Sequence, residues 1–314
     1  SLVHDSDLTG TIASCASSGT RTIAVSGSST AVMMSDDNAG TWGTISAGVT
    51  TNSIFTRYIN GNFYISDAAG KLLKSSTGAT NSFATVSAAA AGKLINDMAN
   101  NGSVIMAVGK SAANVPAIYR STDNGDSFSA VTYPDVFAGD FRAVYFDAVT
   151  DAWYLVASNG RLYRSTDNGI TWVRAYTVAR ATVLLNVLRL GDYLYIVENA
   201  NYVHRSADGE DWTDLGVINL GLGRNKNTSF VASDGSLVSV SGYDFSKTLD
   251  FATRQSLYSS SATIGALAKA GDIIIAMPLS PSATAVGLLG FDTPAAGAPY
   301  RSTAPDVTKT VRIK

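Results

Sequence analysis

Three arginines, Arg142, Arg180 and Arg224, recur about one repeat apart, at or just before segments that read as strands. A guanidinium offers paired N–H donors that match a carboxylate or phosphate, so their convergence would make an anion site. On the same stretches Lys226 adds a cation, while Tyr133, Asn199 and Asn201 offer a stacking ring and hydrogen bonds suited to a sugar. Asp135 and Asp140 point to a second chemistry, because glycoside hydrolysis needs two facing carboxyl groups, and Glu198 is a further acidic ligand candidate. Position alone nominates these acids, which are as well suited to capping loops. The competing expectation for each arginine is local pairing with an Asp or a loop carbonyl.

Other chemistries are poorly provided for. The only histidines are His4 and His204, too few for a His-rich metal site, and neither metal nor cofactor is expected. Cys15 is the single cysteine, which excludes an intrachain disulfide, and its apolar surroundings suggest a buried structural thiol. A formal charge of −2 argues against a nucleic-acid partner. No apolar run approaches the length of a spanning helix, so membrane insertion is not expected. Beginning at Ser1 rather than Met, the chain is expected to be a processed or trimmed piece.

The elements that must position these residues follow from repetition. Charged residues make up 15% of the 314, with two glutamates, Glu198 and Glu210, and abundant small residues. That balance favours strands and turns over helices. Seven times an apolar segment, a tight Gly/Asn/Asp turn and a second apolar segment recur. They cover 12–16 and 22–25, 53–59 and 63–65, 94–99 and 104–108, 143–146 and 153–157, 184–190 and 193–197, 229–232 and 237–240, and 264–268 and 273–277. Pairs such as Asn60-Gly61 and Asp234-Gly235 supply the positive φ values that two-residue hairpins require. From Gly19 to Gly271 the mean spacing is about 42 residues, the period of a propeller blade. The expectation is one all-β domain over 1–314, a seven-bladed β-propeller of four-stranded antiparallel blades.

A second motif follows the hairpins. The third unit has Ser121, Asp123, Gly125 and Phe128, and the fourth has Ser165, Asp167, Gly169 and Trp172 at the same spacing. The first has Ser35, Asp37 and Trp42 with its glycine displaced by one, and the fifth has Ser206, Asp208 and Trp212 one residue short. Decayed copies keep Lys74-Ser75 and Phe83, Asp250-Phe251, and Tyr300-Arg301-Ser302-Thr303. The pattern resembles the Asp-box of bacterial-type sialidases and other propellers, over nearly the whole chain. Its residues are expected to be structural: Asp accepts turn N–H groups, Gly takes a left-handed conformation, and the aromatic packs between blades.

With strands a to d counted outward from the axis, a–b and c–d turns share one face, and b–c and d–a loops the other. The boxes and Glu210 fall on the first face, and ligand sites of related propellers lie on the second. His204 reads as a half-exposed side chain on strand c. Lys74, Arg120, Arg164, Arg205 and Arg301 form a repeated outer position, solvated or paired across blades. Residues 278–298 read as a long loop before a strand c at 299–302.

For a sialidase, the resemblance implies an Arg triad, a Tyr nucleophile with a Glu partner, an Asp acid/base and an Arg-Ile-Pro motif. Arg-Ile-Pro is absent, and spacing assigns no Tyr to Glu198. The expectation is therefore a non-catalytic module that binds a cell-surface glycan or a neighbouring protein, as part of a larger assembly. Its composition is similar to modules of phage tail fibres and bacterial surface proteins, implying an extracellular or virion-associated setting. A sialidase-like glycoside hydrolase is the runner-up, and an intracellular assembly scaffold the third reading.

Overall fold

The computed structural model describes residues 11–37, 41–86, 93–111, 113–180, 182–218, 228–232, 235–241, 244–253, 255–259, 264–270, 273–278 and 287–290. Six four-stranded antiparallel sheets follow one another along the chain. Blade one is Ile12–Ser17, Thr22–Ser26, Val32–Ser35 and Gly43–Ile45, and blade two is Ser53–Ile59, Asn62–Asp67, Leu72–Ser75 and Ala84–Thr85. Blade three is Lys93–Asn100, Ile105–Ser111, Pro116–Ser121 and Ser129–Val131. Blade four is Phe141–Asp147, Ala152–Ala157, Arg161–Ser165 and Val173–Thr177. Blade five is Leu184–Leu190, Tyr193–Glu198, Tyr202–Ser206 and Thr213–Val217. Blade six is Ser229–Val231, Leu237–Ser241, Asp244–Thr248 and Gln255–Ser259.

The expectation of seven four-stranded blades is thereby corrected to six. The seventh repeat forms a three-stranded sheet, Ile264–Ala270, Ile273–Pro278 and Gly287–Gly290. Its third strand comes from the apolar run Gly287-Leu288-Leu289-Gly290, inside the segment expected to be a long loop. The strand expected at 299–302 lies outside the described residues, as do Gly271-Asp272, Asp234, Arg301 and His4. The strand Ile264–Ala270 packs against the inner strands of both blade six and blade one, closing the ring.

Each strand's sequence reflects its layer. Second strands such as Ala152–Ala157 are buried throughout, because adjacent sheets cover both faces, and they read as unbroken apolar runs. Fourth strands such as Val173–Thr177 form the rim and stay largely exposed. The turn Asn60-Gly61 holds φ at 47° and 80°, as a two-residue hairpin demands. An irregularity recurs just after the start of six inner strands, at Ala13, Ile54, Asn96, Arg142, Leu185 and Gly265. A bulge of this kind bends the strand and re-aims the side chain it carries.

The apolar core lies between sheets. One cluster joins Met106 and Ile118 of blade three to Trp153 and Trp172 of blade four, and another joins Tyr195 to Phe251 across blades five and six. A polar line crosses the inner strands. Ser14 donates to the Thr56 carbonyl, Arg57 pairs with Asp97 at 3.2 Å, and Asp97 accepts the Val144 N–H at 2.9 Å. Cys15 is buried beside it, and burial pushes its thiol up to about 12, where it is inert at neutral pH.

Candidate functional site

On the face of the c–d turns, the motif residues hold one another. Asp123 accepts the Ser121 hydroxyl at 2.7 Å and the Ser127 N–H at 3.0 Å, and the Gly125 N–H donates back to Ser121. Asp167 repeats this with Ser165, Thr171 and Gly169, as does Asp37 with Ser35 and Thr41. Asp208 accepts Ser206 and the Glu210 and Asp211 N–H groups. The decayed copy at Asp250-Phe251 in blade six keeps the same bonds: Thr248 stands for Ser, and Asp250 accepts the Ala252 and Thr253 N–H groups. Trp42, Phe128 and Trp172 are buried, Trp212 is half-buried, and the Trp172 and Trp212 indoles donate to Gly169 and Gly209 carbonyls.

The opposite face carries most of the ligand candidates. Residues 132–140, between blades three and four, form a loop held by its own side chains. Tyr133 meets Phe137, Phe141 and Tyr163 edge-on and donates to the Pro116 carbonyl. Asp135 accepts the Tyr163 hydroxyl at 2.8 Å and pairs with Arg161 and Arg174 at 3.4 and 3.5 Å. Asp140, buried, pairs with Arg142 at 2.8 Å and accepts from Asn96 at 3.1 Å. Within this framework Val136 is wholly exposed, and Arg142 and Arg174 are about half exposed.

Arg180 leads elsewhere. Its Nη2 pairs with Asp214 at 2.7 Å and Glu198 at 3.2 Å, and the guanidinium lies 3.7 Å from the Tyr202 ring centroid. Glu198 has no exposed surface and is also bonded to Thr182 and His204. Its position matches Asp67 in blade two, which binds Thr50 of the incoming loop in the same way. His204 is fully buried rather than half-exposed, a correction forced by the Tyr176 hydroxyl lying 3.2 Å from its Nδ1 on the other side. Burial, then the charges of Asp214 and Glu198, push the Tyr176 phenol up, opposite to what a phenolate nucleophile needs. Asp214 is held low: desolvation opposes this, but the Gly216 N–H and Arg180 prevail.

Arg142 and Arg180 thus take separate acids rather than one common anion. Arg224 and Lys226 lie outside the described residues. Asn199 and Asn201 bracket a short 3-10 turn tied by backbone bonds to Val183 and Ile218. Tyr176, Thr182 and Asp214 went unnoticed in the sequence, since no local pattern links residues on different blades.

The chain matches no protein-family model and no curated protein. Among solved structures it resembles YCF48 bound to D1 peptide, at 15% identity over 90% of this chain and 94% of that one, with a TM-score of 0.65. The fold is a β-propeller. Virginiamycin B lyase from Staphylococcus aureus, with quinupristin, gives a TM-score of 0.71 at 11% identity, over 93% and 99% of the two chains. The WD40 propeller domain of Doa1 gives 0.65 at 9% identity, over 89% and 92%. At such identities the likeness carries the fold, and the sialidase resemblance rests on the turn motif alone.

Proposed function

We propose that this propeller is a non-catalytic binding module whose loop face engages an acidic protein segment with an apolar anchor. The supporting observation is the 132–140 loop, where a rigid aromatic and ionic framework presents a fully exposed Val136 beside the half-exposed Arg142 and Arg174. An apolar tip held in place before binding loses little entropy on contact, and flanking guanidinium groups select carboxylates. YCF48, of the same fold, holds a peptide. A hydrolase draws less support, because Glu198 is sealed behind Thr182, Arg180 and His204, and Asp135 and Asp140 are engaged by arginines.

An array of acidic, basic and neutral peptides, run beside a glycan array, tests the reading. Acidic peptides with an apolar residue should bind; Val136→Asp should abolish binding without lowering the melting temperature, and Arg142→Gln should abolish it with some loss of stability, because it leaves buried Asp140 without its cation. Glycan binding lost in Arg142→Gln, with peptides silent, would replace the protein partner by a sugar. Peptide binding indifferent to both substitutions would remove the loop from the function.

A further inference from the structure

A different place, on the outer rim, breaks a rule that its neighbours keep. At three successive joints the residue before the motif Ser or its counterpart reaches across to the next blade's turn. Lys74 contacts the Asn124 carbonyl at 2.8 Å and Asp126 at 2.6 Å, while Arg164 pairs with Glu210 at 2.7 Å. Asp126 and Glu210 each directly follow the turn glycine. At the joint of blades three and four, Arg120 likewise reaches the next turn, its Nε donating to the Asn168 carbonyl at 2.7 Å. The residue after that glycine is Ile170, 58% exposed, and among the described residues Arg120 has no acidic partner. Beside it opens a groove of about 300 Å³ lined by Arg120, Thr122, Ser129, Thr132, Val131 and Ile170.

We propose that this groove binds a carboxylate-bearing sugar unit, which supplies the anion that the flanking joints build in. With Nε engaged, the two Nη groups of Arg120 present the fork that takes a carboxylate with two parallel bonds. The Thr122, Ser129 and Thr132 hydroxyls can each donate and accept, matching ring hydroxyls, and Val131 and Ile170 offer an apolar surface to a sugar's C–H face. The volume sits at the small end of ligand sites and suits one unit of a chain. The nearby Asp123 and Asp167 carboxylates are occupied by hydrogen bonds within their own turns. This site lies on the outer rim; of residues 132–140 only Thr132 lines it, and it does not depend on the reading of that loop.

The test is calorimetric titration with a glucuronate-bearing tetrasaccharide and with its carboxyl-reduced counterpart. The acidic sugar should bind saturably, and the reduced one about tenfold or more weakly, as loss of charge-assisted bonds implies. Ile170→Asp restores the carboxylate of the flanking joints and should weaken acidic-sugar binding by the same factor, with the melting temperature kept or raised. Arg120→Gln should do likewise. Ile170→Asp alters an exposed side chain, so it decides the matter even if Arg120→Gln is unstable. Absent saturable binding, equal affinity for the reduced sugar, or undiminished binding in folded Ile170→Asp each overturns the proposal. Arg142→Gln and Val136→Asp should leave this titration unchanged, so the two sites fail separately.

Discussion

Asp147 and Arg189 bind blade four to blade five at the inner strands, and Asp147→Asn isolates what that joint contributes. The Arg189 Nε and Nη2 donate to the two carboxylate oxygens at 2.6 and 2.8 Å, and the side chains are 1% and 9% exposed. The Thr150 N–H and hydroxyl complete the carboxylate shell, and Arg189 Nη1 holds the Asp192 carbonyl at 2.8 Å. Asparagine keeps the shape but removes the charge and turns an NH₂ toward the guanidinium. Removing one partner of a buried pair costs about 3–5 kcal/mol, since the remaining ion stays desolvated. Arg189 retains Asp192 and a little solvent, which places the expected loss near the lower figure, about 3 kcal/mol. The measurement is urea unfolding by fluorescence and circular dichroism, with Arg189→Met and the double variant completing a cycle. The double variant should be less destabilised than the sum of the singles by about 1–3 kcal/mol.

The pair also has a pH signature. Burial raises the Asp147 pKa, but hydrogen bonds from Arg189 and Thr150 outweigh it, and the carboxyl lies below its ordinary 3.8. A group depressed in the folded state contributes fully above its unfolded value and loses that contribution as pH falls through the folded one. Wild-type stability should therefore fall more steeply below about pH 3.8 than that of Asp147→Asn. A single-substitution cost under about 1 kcal/mol, or strict additivity in the cycle, would refute the buried-pair account.

Trp172, buried between blades three and four, should cost about 3–5 kcal/mol when replaced by Ala, and an unchanged melting transition would remove it from the core. Gly209→Ala adds a Cβ 1.9 Å from the Tyr154 hydroxyl at a φ of +79°, whereas Gly216→Ala, at +78°, meets nothing within 4 Å. The first should destabilise clearly more than the second, whose cost is about 1–2 kcal/mol of backbone strain; equal losses would deny the steric contact. Hydrogen bonds from Ser127 and Ser121 hold Asp123 at about 2, and turn N–H groups hold Asp208 there too, with burial opposing. Their contributions should fade as pH falls from 3.8 toward 2, and Asp123→Asn should flatten that acid slope or the turn bonds are not stabilising. Aryl sialosides should not be turned over; release abolished by a folded Glu198→Gln variant would make the protein a hydrolase.

Legibility in the sequence tracked how local each determinant was. The hairpins were readable because Asn60-Gly61 and its counterparts fix the backbone within two residues, and positive φ appears there. The motif turns were readable at Asp123 and Asp167 because donors and acceptors lie within four residues of each other. The blade-six turn was obscured by Thr248, which supplies the same hydroxyl as Ser. Blade counting failed at the last repeat, where the third strand is the plain apolar run Gly287–Gly290 and not the decayed Tyr300-Arg301-Ser302-Thr303 motif. Arg142 and Arg180 could be singled out by position, but not their partners: Arg180 meets Asp214 from 34 residues away, and His204 meets Tyr176 from 28. Such pairings depend on how neighbouring sheets stack, which no spacing within one repeat encodes.

The joints explain why the rim can vary without loss of the ring. Equivalent residues of the second strands, Tyr64, Met106 and Tyr154, each sit beneath the glycine of the following blade's turn, at Gly125, Gly169 and Gly209. Tyr64 also donates to the Asn124 carbonyl and Tyr195 to that of Asp250, so the seat carries a polar tie where the residue allows one. Burial at these seats scales with apolar area and does not depend on the residue after the glycine. That outer residue is therefore free to be Asp126, Glu210 or Ile170 at small cost, since an exposed ion pair contributes about 0–1 kcal/mol. Val136 obeys the same logic on the other face: Tyr133, Phe137 and Asp135 secure the loop, which leaves its tip outside the packing. Where stability is indifferent to a side chain, its substitution reads binding apart from folding. Ile170 and Val136 are two such positions, one on each face.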